Sequence, residues 1–213
     1  MRKALIVLGL VIAVLVGLDV GARVLAEHAV GRTLARSLDV AENPSVSIRG
    51  VPFLPRAIAG SFPSATVVAH MVSGNGVTVQ TVSLTLSHVT FPRDLLFGGG
   101  GTVRATGGEG TAVITPAELT QALRAHGAPV TVRFQRDRVL VSANGLPGEV
   151  EVTPSLSGRT LTLRPTGSPL PFALAFDLPA FVSGLRYTNL VVGRAAATVS
   201  FRLTAPTFRV PRS

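Results

Sequence analysis

Four histidines, His28, His70, His88 and His126, are the residues of this 213-residue chain best suited to a metal, and their placement argues against one. A metal centre needs ligands at fixed local spacing, as in the paired histidines of an HExxH helix, or carboxylates gathered beside them. Here the histidines stand far apart, and no acidic cluster accompanies them. His70 and His88 fall in strand-like stretches, where a hydrogen-bonded sheet histidine is the simpler reading. The chain has no cysteine, which removes disulfides, thiol nucleophiles and thiolate ligands together. No G-x-S-x-G elbow offers a serine nucleophile. The run Gly98–Gly101 lacks the Gly-Lys-Ser/Thr of a phosphate loop. Glu27 lies on the apolar arc of a helical stretch, which predicts a half-buried ion pair with Arg23 or with an arginine of the sheet. Tyr187, the only tyrosine, reads as core or rim. These residues predict no metal, no cofactor and no catalytic set.

Sequestering an acyl chain is a different chemistry, and it asks only for apolar side chains. Each methylene removed from water contributes about 0.8 kcal/mol, so a groove of valine, leucine and phenylalanine suffices. One or two arginines at its mouth would select the headgroup. The same residues also build a plain core, so the alternative is a scaffold domain with a fully packed interior. The stretch Val46–Gly60, VSIRGVPFLPRAIAG, is the most informative. Pro52 and Pro55 bar it from a helix interior or a central strand, which predicts a rigid corner with Phe53 and Leu54 facing inward. Leu95, Leu96 and Phe97 form a second apolar cluster, beside the flexible run Gly98–Gly101 that would make an adjustable lip. Val24, Leu34 and Leu38 complete the candidate lipid-contacting set from one helix face, shared with Val20 and Gly31.

The elements that position these residues begin at the N-terminus. Arg2 and Lys3 precede an unbroken apolar run from Ala4 to Leu18, closed by Asp19. This is the pattern of an export signal. As a helix the run spans about 22 Å, short against roughly 30 Å of bilayer hydrocarbon. Residues 1–18 are therefore a signal sequence or signal anchor, and residues 19–213 a single domain. Small residues offer cleavage before Arg23 or before Glu27. The second would cut the amphipathic helix that continues to Leu38, so retention or cleavage before Arg23 is favoured. The positive-inside bias places everything after Asp19 on the extracytoplasmic side, in the cell envelope.

The formal net charge is +9, and nineteen of the twenty basic residues are arginine. They are scattered, without basic runs interleaved by aromatics, and on an exported domain they do not predict nucleic acid. Arg133, Arg136 and Arg138 read as the solvated tip of a hairpin turning at Asp137. A basic face outside the membrane attracts anionic headgroups at about 1 kcal/mol per residue. Phospholipid, anionic by preference, and the membrane surface are the partners this implies.

Beyond Pro44 the chain is mostly β. A strand over 65–72 turns at Gly74-Asn75-Gly76 into a second, whose alternation changes phase from Val77 and Val79 to Val82, Leu84 and Leu86. That slip predicts a β-bulge near Gln80 and Thr81. Thr115-Pro116-Ala117-Glu118 is a capping box with proline at the first helical position, starting a short helix that ends near Gly127. Strands follow at 130–135, 139–143, 149–153, 160–164, 172–176, 185–192 and 195–204. The fold class is α+β: a long N-terminal helix cradled by a strongly curved antiparallel β-sheet, plus one short capped helix.

Three of these segments carry a family resemblance. The PFL corner, the strand-to-helix step Ile114-Thr115-Pro116-Ala117-Glu118-Leu119, and Phe176-Asp177-Leu178-Pro179 occur in the order and spacing of the LmeA-like family of actinobacterial phospholipid-binding envelope proteins, which the chain resembles from about Asp19 onward. Pro55 and Arg56 depart from the polar, amide-type residues of that family's corner. The resemblance implies a fold similar to tubular lipid-carrying domains. It also implies phospholipid binding in support of envelope lipid or lipoglycan assembly, without catalysis. A lipid- or glycan-processing enzyme is the remaining rival, and it would require titratable groups converging in one cleft.

Overall fold

The computed structural model describes residues 2–38, 42–74, 77–97, 99–125, 127–136, 138–143, 148–166, 173–178 and 184–210. One helix, α1 (Arg2–Leu38), takes in the apolar run and the stretch after it. It is followed by β1 (Ser45–Arg49), a short helix α2 (Phe53–Ala59) and two long strands, β2 (Ser61–Gly74) and β3 (Val77–Thr90). A 3-10 turn at Arg93–Phe97 leads to β4 (Gly101–Arg104), β5 (Gly107–Ile114) and α3 (Pro116–Ala125). The remaining strands are β6 (Val130–Gln135), β7 (Arg138–Ala143), β8 (Val150–Ser157), β9 (Thr160–Pro165), β10 (Leu174–Asp177), β11 (Leu185–Val192), β12 (Ala197–Thr204) and β13 (Thr207–Val210). Among the described residues no helix is long and apolar enough to cross a membrane.

The strands divide into two antiparallel sheets. The larger runs β1-β2-β3-β5-β12-β11, with β4 joined to β3 and β13 to β4; the smaller is the meander from β6 to β10. Long sheets protect their edges by curling or by splitting in two. Here splitting does most of it, since the curvature is only moderate and nothing closes. The α+β class, the long first helix and the capped helix stand as the sequence predicts. The capping box is complete: Thr115 N–H donates to Glu118 Oε2 at 2.7 Å and Glu118 N–H to Thr115 Oγ1 at 3.3 Å. It starts α3 so that Leu119, Ala122 and Leu123 enter the main core, where the inward residues of both sheets meet. A second, smaller cluster (Val46, Ile48, Phe53, Ala57 and Phe62) lies against Ala22 and Ala26 of α1.

Two local expectations need correction. The register of β2 on β3 runs without an inserted residue through Gln80 and Thr81, so there is no bulge there. The change of phase is made by Met71, opposite Gln80, at a φ of 50°; exposed His70 and Met71 separate buried Ala69 and Val72. His88, with φ 48°, repeats the device between buried Leu86 and Val89. A left-handed residue shifts the alternation without lengthening the strand, at about 1–2 kcal/mol each. The second correction is the proline corner, which is the helix α2. Pro52 precedes the helix and Pro55 sits in its first turn, where the backbone N–H has no intrahelical partner to lose. The turn at Asn75-Gly76 and the hairpin tip at Asp137 lie outside the described residues.

Candidate functional site

Helix α1 is seated on its small and polar face. Ala22 and Ala26 meet the β1–α2 cluster, and Gly31 passes so close to Pro44 that a Cβ on it would stand 2.7 Å from the Pro44 carbonyl oxygen. Two carboxylates complete the seat. Asp19 accepts the Phe53 and Leu54 N–H groups at 2.8 and 2.7 Å, satisfying the free donors at the start of α2. Glu27 accepts the N–H of Ile48 on the edge strand at 2.7 Å and pairs with Arg23 at 2.9 Å, half-buried as its place on the helix predicts. Replacing Asp19 with alanine leaves two donors without their charged acceptor, and stability is expected to fall by about 2–3 kcal/mol in urea denaturation. A loss under 0.5 kcal/mol would show that water replaces the carboxylate freely.

That seating turns the larger apolar residues of α1 outward. Val24 is 45 % exposed, so the predicted helix face, with Val20 and Val24 buried beside Gly31, holds only for Gly31. Close approach to an edge strand needs small side chains and acceptors, and the helix turns them inward at the expense of its valines. At the corner, Phe53 is buried at 5 % and Leu54 is 37 % exposed. The helical turn separates them: Phe53 and Ala57 point to the core, while Leu54 and Ile58 lie on an exposed flank. Leu95 is half-buried in the 3-10 turn. The side chains of Leu34, Leu38, Leu96 and Phe97 lie outside the described residues.

The register of the large sheet brings together residues that no local pattern connects. Val46, Val67, Leu84, Gly110, Phe201 and Tyr187 are successive cross-strand partners from β1 to β11, and so share one face. Ile48, Ala65, Leu86, Gly108, Leu203 and Leu185 form the next rung. The ends of both rungs are buried, one in the cluster under α1 and the other in the main core. Between them Leu86 is buried in the main core, while Ala65, Leu84 and neighbouring Val82 pack half-buried against that core and Val67 against the smaller cluster. The strip is two to three strand spacings wide, about 10–14 Å. The Phe201 ring leans over Gly110, where a Cβ would stand 2.5 Å from it.

Two hollows among the described residues lie elsewhere. A polar trough of about 320 Å³ occupies the opposite face of the sheet, lined by Ser83, Thr85, Glu109, Thr111, Ser200 and Arg202 among others. Between the sheets, a void of about 20 Å³ is walled by residues including Ile114, Leu119, Phe134, Leu163 and Val199. It has room for roughly one water molecule and none for an acyl chain. The elongated cavity expected near Gln80 and Leu95 is therefore not where these hollows open. A half-buried apolar strip stands in its place. Alternation in β2 and β3 was visible in sequence, but the partnership of Val67 with Leu84 depends on long-range register.

The family model of LmeA-like phospholipid-binding proteins matches residues 17–212. The chain belongs to that family. No curated protein and no solved structure matches it. For an LmeA-like protein the ligand is phospholipid, which suits a half-buried apolar strip better than a polar trough. Three of the polar residues considered in the sequence bond within the sheets: His70 bonds Thr81 at 3.1 Å, and Arg133 and Arg138 pair with Glu149 and Glu151 at 2.9 and 3.1 Å.

Tyr187 ends one rung in an edge-to-face contact with Phe201, ring centroids 6.2 Å apart. Burial pushes its hydroxyl up to about 12, with Arg159 acting in the opposite direction. The folded protein thus holds this proton longer than the unfolded chain. The associated stability is present below about pH 10 and is lost as pH rises towards 12. Absorbance titration of the single phenolate is expected to show a midpoint well above 10; a midpoint near 10 would mean a solvated ring.

Proposed function

We propose that this protein binds phospholipid on the strip formed by Ala65, Val67, Val82 and Leu84, in the cell envelope on the outer side of the cytoplasmic membrane. It is held there by α1 or released after export, and supports envelope lipid or lipoglycan assembly without catalysis. The observation that carries this reading is the strip itself: apolar positions of β2 and β3 paired across the sheet, half-buried beside buried Leu86 and Ala69. An acyl chain laid along it covers apolar surface without displacing any backbone hydrogen bond, because the strands satisfy their own ladders. Affinity then follows chain length at about 0.8 kcal/mol per methylene, and the basic chain favours anionic headgroups at low salt.

Native mass spectrometry of the protein extracted from its own membranes tests this directly. About one phospholipid per chain is expected, exchangeable with phosphatidylinositol or phosphatidylglycerol vesicles more readily than with phosphatidylcholine. A folded protein that leaves the membrane free of lipid and takes none from vesicles is incompatible with the reading. The filled interior of the sandwich favours a second one, a scaffold domain, and that result would select it.

A further inference from the structure

We infer that α2 is a membrane-docking element that seats the body of the protein directly on an anionic bilayer surface. This rests on the reading of α1 as a retained tether. Residues 13–18 of α1 are exposed on every side, so the helix leaves the body as an apolar stalk. The stalk meets the body at Asp19, whose carboxylate holds the first N–H groups of α2. The depth of Asp19 therefore sets the depth of α2.

The apolar run is short, about 22 Å against roughly 30 Å of hydrocarbon. A tether of that length buries fully only if Leu18 is drawn down to the interface, which brings α2 to the same level. The residues α2 presents there suit that place. Ile58 is 62 % exposed and shares a flank with Leu54, and Val51, in the turn just before α2, is 80 % exposed. Three exposed arginines border them, Arg49, Arg56 and Arg93, none in an ion pair among the described residues. The Arg56 stem packs against Gly50, and α2 touches the 3-10 turn that Arg93 opens, so these cations sit at one end of the molecule. Asp94, beside Arg93, is the acidic residue of that turn. Apolar tips ringed by arginine match an interface where acyl chains meet anionic headgroups. A second copy of the chain would have to pair this arginine cluster with itself.

The absence of cysteine makes the test clean. In the full-length chain, Val51→Cys, Ile58→Cys and, at the distant exposed site, Val191→Cys are each labelled with an environment-sensitive fluorophore. The proteins are reconstituted in phosphatidylglycerol/phosphatidylcholine vesicles carrying brominated acyl chains. Quenching at 51 and 58 is expected to exceed that at 191 at least threefold, and Arg56→Glu with Arg93→Glu is expected to halve it. No excess quenching at 51 and 58, or no association with vesicles at all, overturns the inference. So does a concentration-dependent blue shift without vesicles, which would identify self-association. Lipid retention measured on the same proteins is independent: retained lipid with unquenched α2 removes the docking and leaves phospholipid binding standing, whereas quenched α2 without retained lipid does the reverse.

Discussion

Phe53→Ala is expected to lower stability by about 3–5 kcal/mol, the range for removing a buried phenylalanine side chain. The Phe53 ring stacks on Phe62 with centroids 5.0 Å apart, and Phe62 on Phe91 at 5.6 Å. This column ties α2 to the start of β2 and to the residue just beyond β3, and α1 lies against the same cluster through Ala22 and Ala26. A cavity here removes contacts from the only apolar cluster that the described part of α1 joins. Against a typical total of 5–15 kcal/mol, the loss is a large share. Leu54→Ala, one residue on, is expected to cost under 1 kcal/mol, since its side chain lies on the exposed flank. Urea denaturation followed by circular dichroism compares the two. Similar losses in both would mean that the corner is not organised around Phe53.

If the column acts as a unit apart from the main core, Phe53→Ala also loosens α1 before it loosens the sandwich. Hydrogen exchange in β1 and α2 is then expected to rise more than in β7 or β9, whose inward residues Val139, Val141, Leu161 and Leu163 belong to the larger cluster.

What the sequence made legible follows the range of the physics involved. The capping box, the strand alternations and the inward Phe53 depend on neighbours a few residues away, and they are found as expected. Glu27 was equally readable, because a carboxylate on an apolar arc requires a partner and Arg23 stands one turn before it. The face of α1 was not readable from hydropathy. Its packing is decided by how closely Gly31 and the alanines approach β1, and by three backbone donors, of Ile48, Phe53 and Leu54, that lie far along the chain. Helix α2 was hidden by its prolines, which end a helix from within but are harmless in a first turn. The short strands β4 and β13 were missed because a few residues of Gly, Thr and Arg give no clear alternation. The apolar strip needs β2 in register with β3, and only the fold supplies that.

Leu84→Asp is expected to reduce retained phospholipid by tenfold or more, because a carboxylate pressed against an acyl chain must be desolvated at a cost of several kcal/mol or exclude the chain. The decisive comparison is the adjacent residue. Ser83 lies on the same strand but faces the polar trough, as the period of two requires. Ser83→Asp therefore places the same charge on the same β3 backbone at nearly the same depth in the sequence, yet on the opposite side of the sheet. It is expected to leave lipid retention within twofold of the wild type. Since Leu84 is half-buried, its substitution also costs stability, so Leu84→Ala accompanies it and is expected to weaken retention by a few-fold with the fold intact. Retention is read by mass spectrometry after exchange with phosphatidylglycerol vesicles, and folding by circular dichroism of the same samples. Equal losses from Ser83→Asp and Leu84→Asp would place the lipid away from this face, and undiminished retention in a folded Leu84→Asp protein would remove the strip from the mechanism.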